Sequence, residues 1–305
     1  MPNAMDENSW LVLLRRIQDG KCTPFLGAGA CYGVLPLGGD VARQWSQQFD
    51  YPLEDNYDLA RVAQFLAVKH DDAMFPKEEI IRLFSGIAPP VFTEADEPHA
   101  ALASLPLPIY MTTNYDDFMA RALQANPNPV KTPVREICHW NRMAADHPCI
   151  FQREPDYQPT VQRPLVFHLH GYDLSPESLV LTEDDYLDFL VNISRNQQML
   201  PHQIQRAFTG TSLLFIGYRL EDWTFRVLFR GLVSATEASL RRISVTVQLP
   251  PSGADVAAQE AIKDYRSAYF DRIDVKVYWG TARQFAAELR ERWSRFNHGL
   301  AVGRP

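Results

Sequence analysis

The sequence predicts an α/β fold: a mostly parallel sheet with helices on both faces, plus a helical insertion. Three observations carry that prediction. Short runs of branched apolar residues alternate with stretches of helical periodicity. Four of those runs stop at polar or glycine-rich segments, as the strands of a ligand-binding sheet do. The chain has 305 residues, 46% of them AVILMFWYC, which is enough to bury a large core.

Residues 6–19 read as an amphipathic helix with Trp10, Leu11, Leu14 and Ile17 on one face, ended by Gly20. Residues 22–26 read as a strand that runs into Gly27-Ala28-Gly29-Ala30. Residues 40–104 form the helical insertion, with Val62, Phe65 and Leu66 and then Ile80, Ile81 and Phe84 at helical spacing. A strand at 108–112 and a helix at 115–124 come next. Residues 126–164 are a Pro-rich excursion with room for one short strand. A strand at 165–169 leads to helices near 183–192 and 197–208, the first opened by a Thr182–Asp185 capping box. Strands at 212–216, 243–247 and 273–277 alternate with helices at 221–232, 256–270 and 281–296. In the last helix, Phe285, Leu289, Trp293 and Phe296 read as core, with a subunit interface as the lesser alternative. Residues 1–305 are expected to form a single domain.

Composition narrows the function. Asp and Glu outnumber Lys and Arg by 37 to 30, a formal charge of -7, which argues against a nucleic acid held on a basic surface. A small anionic ligand is still accommodated, because backbone amides hold phosphate without net positive charge. No apolar run reaches the ~18 residues that span a bilayer. The N-terminus lacks the basic start and apolar stretch of a signal peptide, so a cytoplasmic protein with no membrane association is expected. Cys22, Cys31, Cys138 and Cys149 form no C-x-x-C pair, so they read as free thiols rather than a zinc ribbon. Cys138 beside His139 reads as an ordinary neighbour pair rather than a nucleophile and its base.

Ligands of a doubly wound sheet sit beyond the carboxyl ends of its strands. The first strand delivers Gly27-Ala28-Gly29 there, suited to a phosphate or to a tight strand-to-helix turn. No P-loop signature is present. The second delivers Thr112-Thr113-Asn114-Tyr115-Asp116. Asn114 either orients a hydroxyl or water or caps the next helix, and Asp116 falls in that helix's first turn. The third delivers His168-Leu169-His170-Gly171. His168 and His170 share a strand parity; His170, nearer the edge, is suited to proton transfer, and His168 to a buried hydrogen bond. A metal on the His-x-His pair lacks an evident third ligand. The fourth delivers Gly217-Tyr218-Arg219-Leu220-Glu221-Asp222. There Tyr218 can pack on a ligand, and Asp222 either caps a helix or meets a ribose hydroxyl.

Taken in order, Phe25-Leu26-Gly27-Ala28-Gly29-Ala30, Thr112 to Asp116, His168 to Gly171 and Phe215 to Asp222 resemble the Sir2-like family. The likeness is nearest to the bacterial Sir2-like proteins of antiphage defence, which degrade NAD⁺. It implies a Rossmann-like sheet that binds NAD⁺ as substrate. It implies Gly27, Ala28 and Gly29 at the pyrophosphate, Asn114 and His170 as the catalytic pair, and Asp116, Gly217, Tyr218 and Asp222 as further cofactor-binding positions. Protein-deacylating sirtuins carry a four-cysteine zinc module that these cysteine spacings do not form. The expectation is therefore metal-free hydrolysis of NAD⁺ to nicotinamide and ADP-ribose. Protein deacylation or ADP-ribosyl transfer, and a non-catalytic NAD-binding assembly subunit, are the alternatives. A homo-oligomer and a separate activating partner, such as an ATPase or Argonaute-type subunit, complete what the resemblance implies.

Overall fold

A computed structural model describes residues 5–127, 129–145, 148–195, 199–219, 242–251, 253 and 255–302. Seven parallel strands form one sheet: β1 (Cys22–Leu26), β2 (Ile109–Thr112), β3 (Val134–Ile137), β4 (Leu165–His168), β5 (Ser212–Ile216), β6 (Ser244–Gln248) and β7 (Val275–Trp279). Their order is β3-β4-β2-β1-β5-β6-β7. Every residue of β1, β4 and β5 is buried, as expected of continuous apolar runs covered on both faces.

The helices before β2 are α1 (Glu7–Gln18), α2 (Gly38–Gln48), α3 (Leu59–Lys69), α4 (Phe75–Ser85) and α5 (Pro98–Ala103). Then come α6 (Phe118–Ala125), the short α7 (Arg142–Ala145) and α8 (Ile150–Arg153), α9 (Glu183–Arg195), α10 (His202–Gly210), α11 (Val256–Asp271) and α12 (Ala282–Val302). Strand alternation sends Leu26, Tyr110, Val166, Leu214 and Val245 into a core shared with α1, α5, α6 and α12. Phe25, Met111, Phe167 and Phe215 enter the opposite core, against α9 and α10. Val41, Trp45, Val62, Leu66 and Ile80 of α2, α3 and α4 pack on Leu179 and Leu181, just before α9. The helices between β1 and β2 are anchored there by polar contacts too. Lys77 Nζ meets Asp185 at 2.8 Å with both side chains largely buried, and Gln64 exchanges two hydrogen bonds with Asp184.

Local signals explain several boundaries. Asp6 caps α1 by accepting from Ser9 N at 2.9 Å. The Thr182–Asp185 capping box forms as the spacing predicts: Asp185 N donates to Thr182 Oγ1, and Thr182 N to Asp185 Oδ2. The Pro-rich excursion supplies the one short strand it has room for, β3, at the sheet edge, and its ladder partner β4 lies far away in sequence. Several boundaries differ. Helix α6 starts at Phe118, not Tyr115, because the carbonyls of Asn114 and Tyr115 are engaged by His168 and by Asp173 N. Helix α10 starts at His202, behind Pro201. The expected helix at 221–232 lies outside the described residues. Among the described residues no helix is long and apolar enough to cross a membrane.

Candidate functional site

The strand ends converge because of register. Leu26 pairs with both Thr112 and Ile216, and Thr112 pairs with His168, so four strands stop at one level. The strand order reverses beside β1. The chain builds β2, β3 and β4 on one side of it, then crosses to place β5 on the other. A sheet of this kind opens its ligand crevice at that switch point. Gly27 to Gly29 and Gly217-Tyr218 face each other there.

The two loops interlock through glycine. Gly217 has φ +85°, and a Cβ on it would lie 2.3 Å from Ala30 N. A Cβ on Gly29 would lie 2.9 Å from Gly217 Cα, and one on Gly27 would lie 2.9 Å from Gly217 O. Gly27 N donates to Ile216 O, Gly29 N to Gly217 O and Ala30 N to Gly27 O. After Gly27 the chain makes a short 3₁₀ turn, Ala28–Cys31. The loop amides are thus largely used within the protein. Ala28 is exposed, and its N–H donates to no described residue. Tyr218 sits behind the loop. Its hydroxyl donates to Leu26 O at 2.7 Å, so the 2.8 Å contact with Thr113 Oγ1 has the threonine as donor. Asp222 lies outside the described residues.

Asn114 is gripped at several atoms. Its N–H donates to Thr112 Oγ1 at 2.9 Å, and its carbonyl accepts from His168 Nδ1 at 3.0 Å. Its carboxamide Nδ2 donates to Gly27 O at 3.2 Å and to Cys31 Sγ at 3.3 Å. Because a carbonyl only accepts, the Gly27 contact fixes which carboxamide atom is nitrogen. The remaining atom, Oδ1, meets no hydrogen-bond partner among the described residues. Asp116 acts locally: Oδ1 caps α6 through Phe118 N at 2.9 Å, and Oδ2 accepts from the Cys31 thiol at 3.4 Å.

The two histidines do not share a face. Strand β4 ends at His168, so parity stops there. His170 packs edge-on against Tyr186 and Phe189 of α9, the side taken by Phe167 and Leu169. Gly171, at φ +81°, makes the turn after it; a Cβ there would lie 2.3 Å from Ser178 O. Burial pushes His170 down to about 3, so the imidazole is neutral across physiological pH. His168 is also pushed down to about 3, by burial and then by Arg135.

Sequence reasoning passed over His99 and gave Cys31 no role in the site. Cys31 Sγ lies 3.8 Å from His99 Nε2, whose Nδ1 meets the buried Glu97 at 2.7 Å. Glu97 also caps α5, through Ala100 N, and that local pattern is its one legible sequence signal. Burial raises the Glu97 carboxyl, but His99 and the backbone donors more than offset this and hold it below its ordinary value. Burial and Asp116 push the Cys31 thiol well up, so it is held as a thiol. Cys31, His99 and Asp116 present three metal-competent atoms within 4.8 Å of one another, and Cys31 Sγ already contacts the other two. Cys138, beside His139, is fully buried with its thiol pushed up to about 12, which suits packing and not nucleophilic attack.

A family model described as the SIR2-like domain matches residues 108–270, more than half of the chain. The chain belongs to the SIR2-like family. The matched stretch takes in the ends of β2, β4 and β5, and Gly27 to Gly29 lies before it. Among curated proteins, this Sir2-like chain is 25% identical over 213 residues to the NAD(+) hydrolase ThsA of Cytobacillus dafuensis. That stretch covers 68% of the present chain and 37% of the relative, so the chain spans well under half of that protein's length. A solved structure described as "Structural Basis for the Mechanism and Regulation of Sir2 Enzymes" aligns with 11% identity and a TM-score of 0.42, over 96% of this chain and 100% of that one.

Two outcomes are expected of the site. Gly217→Ala drives a Cβ into Ala30 N at a positive φ, and the strain of about 1–3 kcal/mol lowers the urea midpoint. A midpoint equal to wild type would rule out the interlock. The two buried histidines give a pH dependence. Each is protonated below about 6.5 when unfolded but stays neutral to about 3 when folded. Stability is therefore full above pH ~6.5 and falls as pH drops, by roughly 1.4 kcal/mol per unit for each histidine. Replacing His170 with Phe flattens the decline between pH 6.5 and 4.5; an unchanged slope in chemical denaturation would count against a buried neutral ring.

Proposed function

We propose that this Sir2-like chain hydrolyses NAD⁺ at the bond between nicotinamide and ribose, releasing nicotinamide and ADP-ribose. The observation that carries the reading is the meeting of Gly27–Gly29, Gly217 and Asn114 at the β1/β5 switch point, with Asn114 Oδ1 unengaged among the described residues. The similarity to a relative named as an NAD(+) hydrolase supports it.

In this reading the diphosphate rests against Ala28 N–H at the glycine loop, and Tyr218 supports the loop from behind. The scissile bond breaks through an oxocarbenium-like state, as in glycoside cleavage. Nicotinamide leaves with the bonding pair and becomes neutral, and the ribose carries the developing positive charge. Asn114 Oδ1 accepts from a ribose hydroxyl or from the attacking water. Neutral His170 takes up the proton released as the water oxygen bonds to the sugar carbon and passes it on, since burial disfavours a standing imidazolium there. Its apolar surroundings, Tyr186 and Phe189, limit access of bulk water to that step. Asp116 contributes by holding Cys31 and the start of α6, and Asp222 is proposed at the ribose. None of these steps calls on a metal.

Both Asn114→Ala and His170→Ala are expected to lower NAD⁺ turnover by roughly 10²-fold or more. The assay resolves nicotinamide and ADP-ribose by chromatography after incubation with NAD⁺. Full turnover by both variants would refute the assignment. Product analysis with an acylated peptide separates hydrolysis from deacylation, and intact NAD⁺ bound by the wild-type chain would favour an assembly role. We further propose that the chain acts in the cytoplasm as a homo-oligomeric effector of antiphage defence, triggered by a separate protein. Size analysis that gives monomers alone, with and without the neighbouring gene's product, would overturn that part.

A further inference from the structure

Where the sheet ends, one backbone group is left to a side chain. The ladders run one residue past the strands: Leu169 N donates to Thr112 O, and Thr113 N to Leu26 O. The next carbonyl of that chain, Asn114 O, lies beyond the ladder and is met by His168 Nδ1 at 3.0 Å. At the other side of the same ring, Arg135 Nε from β3 approaches Nε2 at 3.5 Å. Both neighbours work in one direction only, since a carbonyl accepts and a guanidinium donates. One form of the ring satisfies both: neutral, with its proton on Nδ1. An imidazolium would set an Nε2–H against the guanidinium.

Arg135 is held in turn. It pairs with Asp173, and its guanidinium lies 4.7 Å over the Tyr172 ring. Asp173 N donates to Tyr115 O at 2.9 Å. The segment after β4 and the edge strand therefore close together on residues 114 and 115. His168 is 1% exposed and does not reach the crevice itself. Its carbonyl contact is the grip on Asn114 that comes from β4. Without it, the Asn114 carbonyl loses its partner, and the backbone after it is restrained only at Tyr115, through Asp173 N and the Tyr115 hydroxyl on Val180 O.

We propose that Arg135 and His168 form a positioning pair, in which Arg135 sets the His168 tautomer and His168 fixes the direction of Asn114. The kinetic consequence rests on the reading of Asn114 as catalytic; the tautomer does not. A misplacement of about 1 Å at a reacting group lowers rate by roughly 10²-fold, so the expected effect falls on kcat and not on KM for NAD⁺.

The test has two arms. In the full chain with ¹⁵N-labelled histidine, the His168 ring nitrogens are expected to report the neutral Nδ1–H form at pH 7, and Arg135→Met to give a tautomer mixture. In kinetics, His168→Asn retains a donor where Nδ1 stood, and stays within about threefold of wild-type kcat. His168→Gln places its amide near the Nε2 position instead, and with Arg135→Met is expected to lower kcat roughly ten- to hundred-fold at unchanged KM. An Nε2–H tautomer in the wild type would overturn the proposal. So would wild-type kcat in both His168→Gln and Arg135→Met. If His168→Gln fails to fold, Arg135→Met, which leaves the ring itself in place, carries the kinetic arm. A wild-type chain that leaves NAD⁺ uncut would sink the hydrolase reading, and the tautomer would still decide the positioning pair.

Discussion

Gly217, at φ +85°, lies so close to Ala30 and Gly27 that no side chain fits between the loops after β1 and β5. That contact sets how near the two strand ends approach at the switch point. The rest of the site hangs from it. Gly27 O, held in place by the interlock, is the acceptor that orients the Asn114 carboxamide. Leu26 O, one residue earlier, accepts from Tyr218, Thr113 and Thr112. A change at the glycines would therefore move Asn114 as well as the loop. The glycines answer first to each other, and their openness to a ligand follows from that packing.

The electrostatics are those of a site that holds its groups neutral or paired. Both histidines are kept uncharged by burial, the Cys31 thiol is kept protonated, and Glu97 is matched by His99. A dry, preorganised surround of this type strengthens the few polar groups that face a ligand. An acidic chain is compatible with an anionic ligand, since backbone amides can hold an anion without net positive charge.

Much of the scaffold was legible because its signals are local. Buried parallel strands are continuous apolar runs, and Cys22–Leu26 and Ser212–Ile216 read so directly. Thr182 and Asp185 cap α9 across three residues, a spacing visible in any sequence. The strand β3 was harder, because Val134–Ile137 carries no strong alternation and its partner comes thirty residues later. Periodicity alone puts the start of α6 at Tyr115 rather than Phe118, because it carries no trace of the Asn114 and Tyr115 carbonyls being engaged from β4 and beyond. The shared parity expected of His168 and His170 failed because β4 ends between them.

Sequence alone determined which residues stand at the strand ends: Gly27, Asn114, His170 and Gly217 each come after an apolar run that only a buried strand explains. Those choices rest on hydrophobic periodicity and turn chemistry, which act over a few residues. Tertiary structure decided what each one does there. The approach of Gly217 to Gly27 spans about 190 residues, and those of His99 to Cys31 and of Arg135 to His168 span 68 and 33. Such contacts are fixed by strand order and register, and leave no periodic trace in the chain.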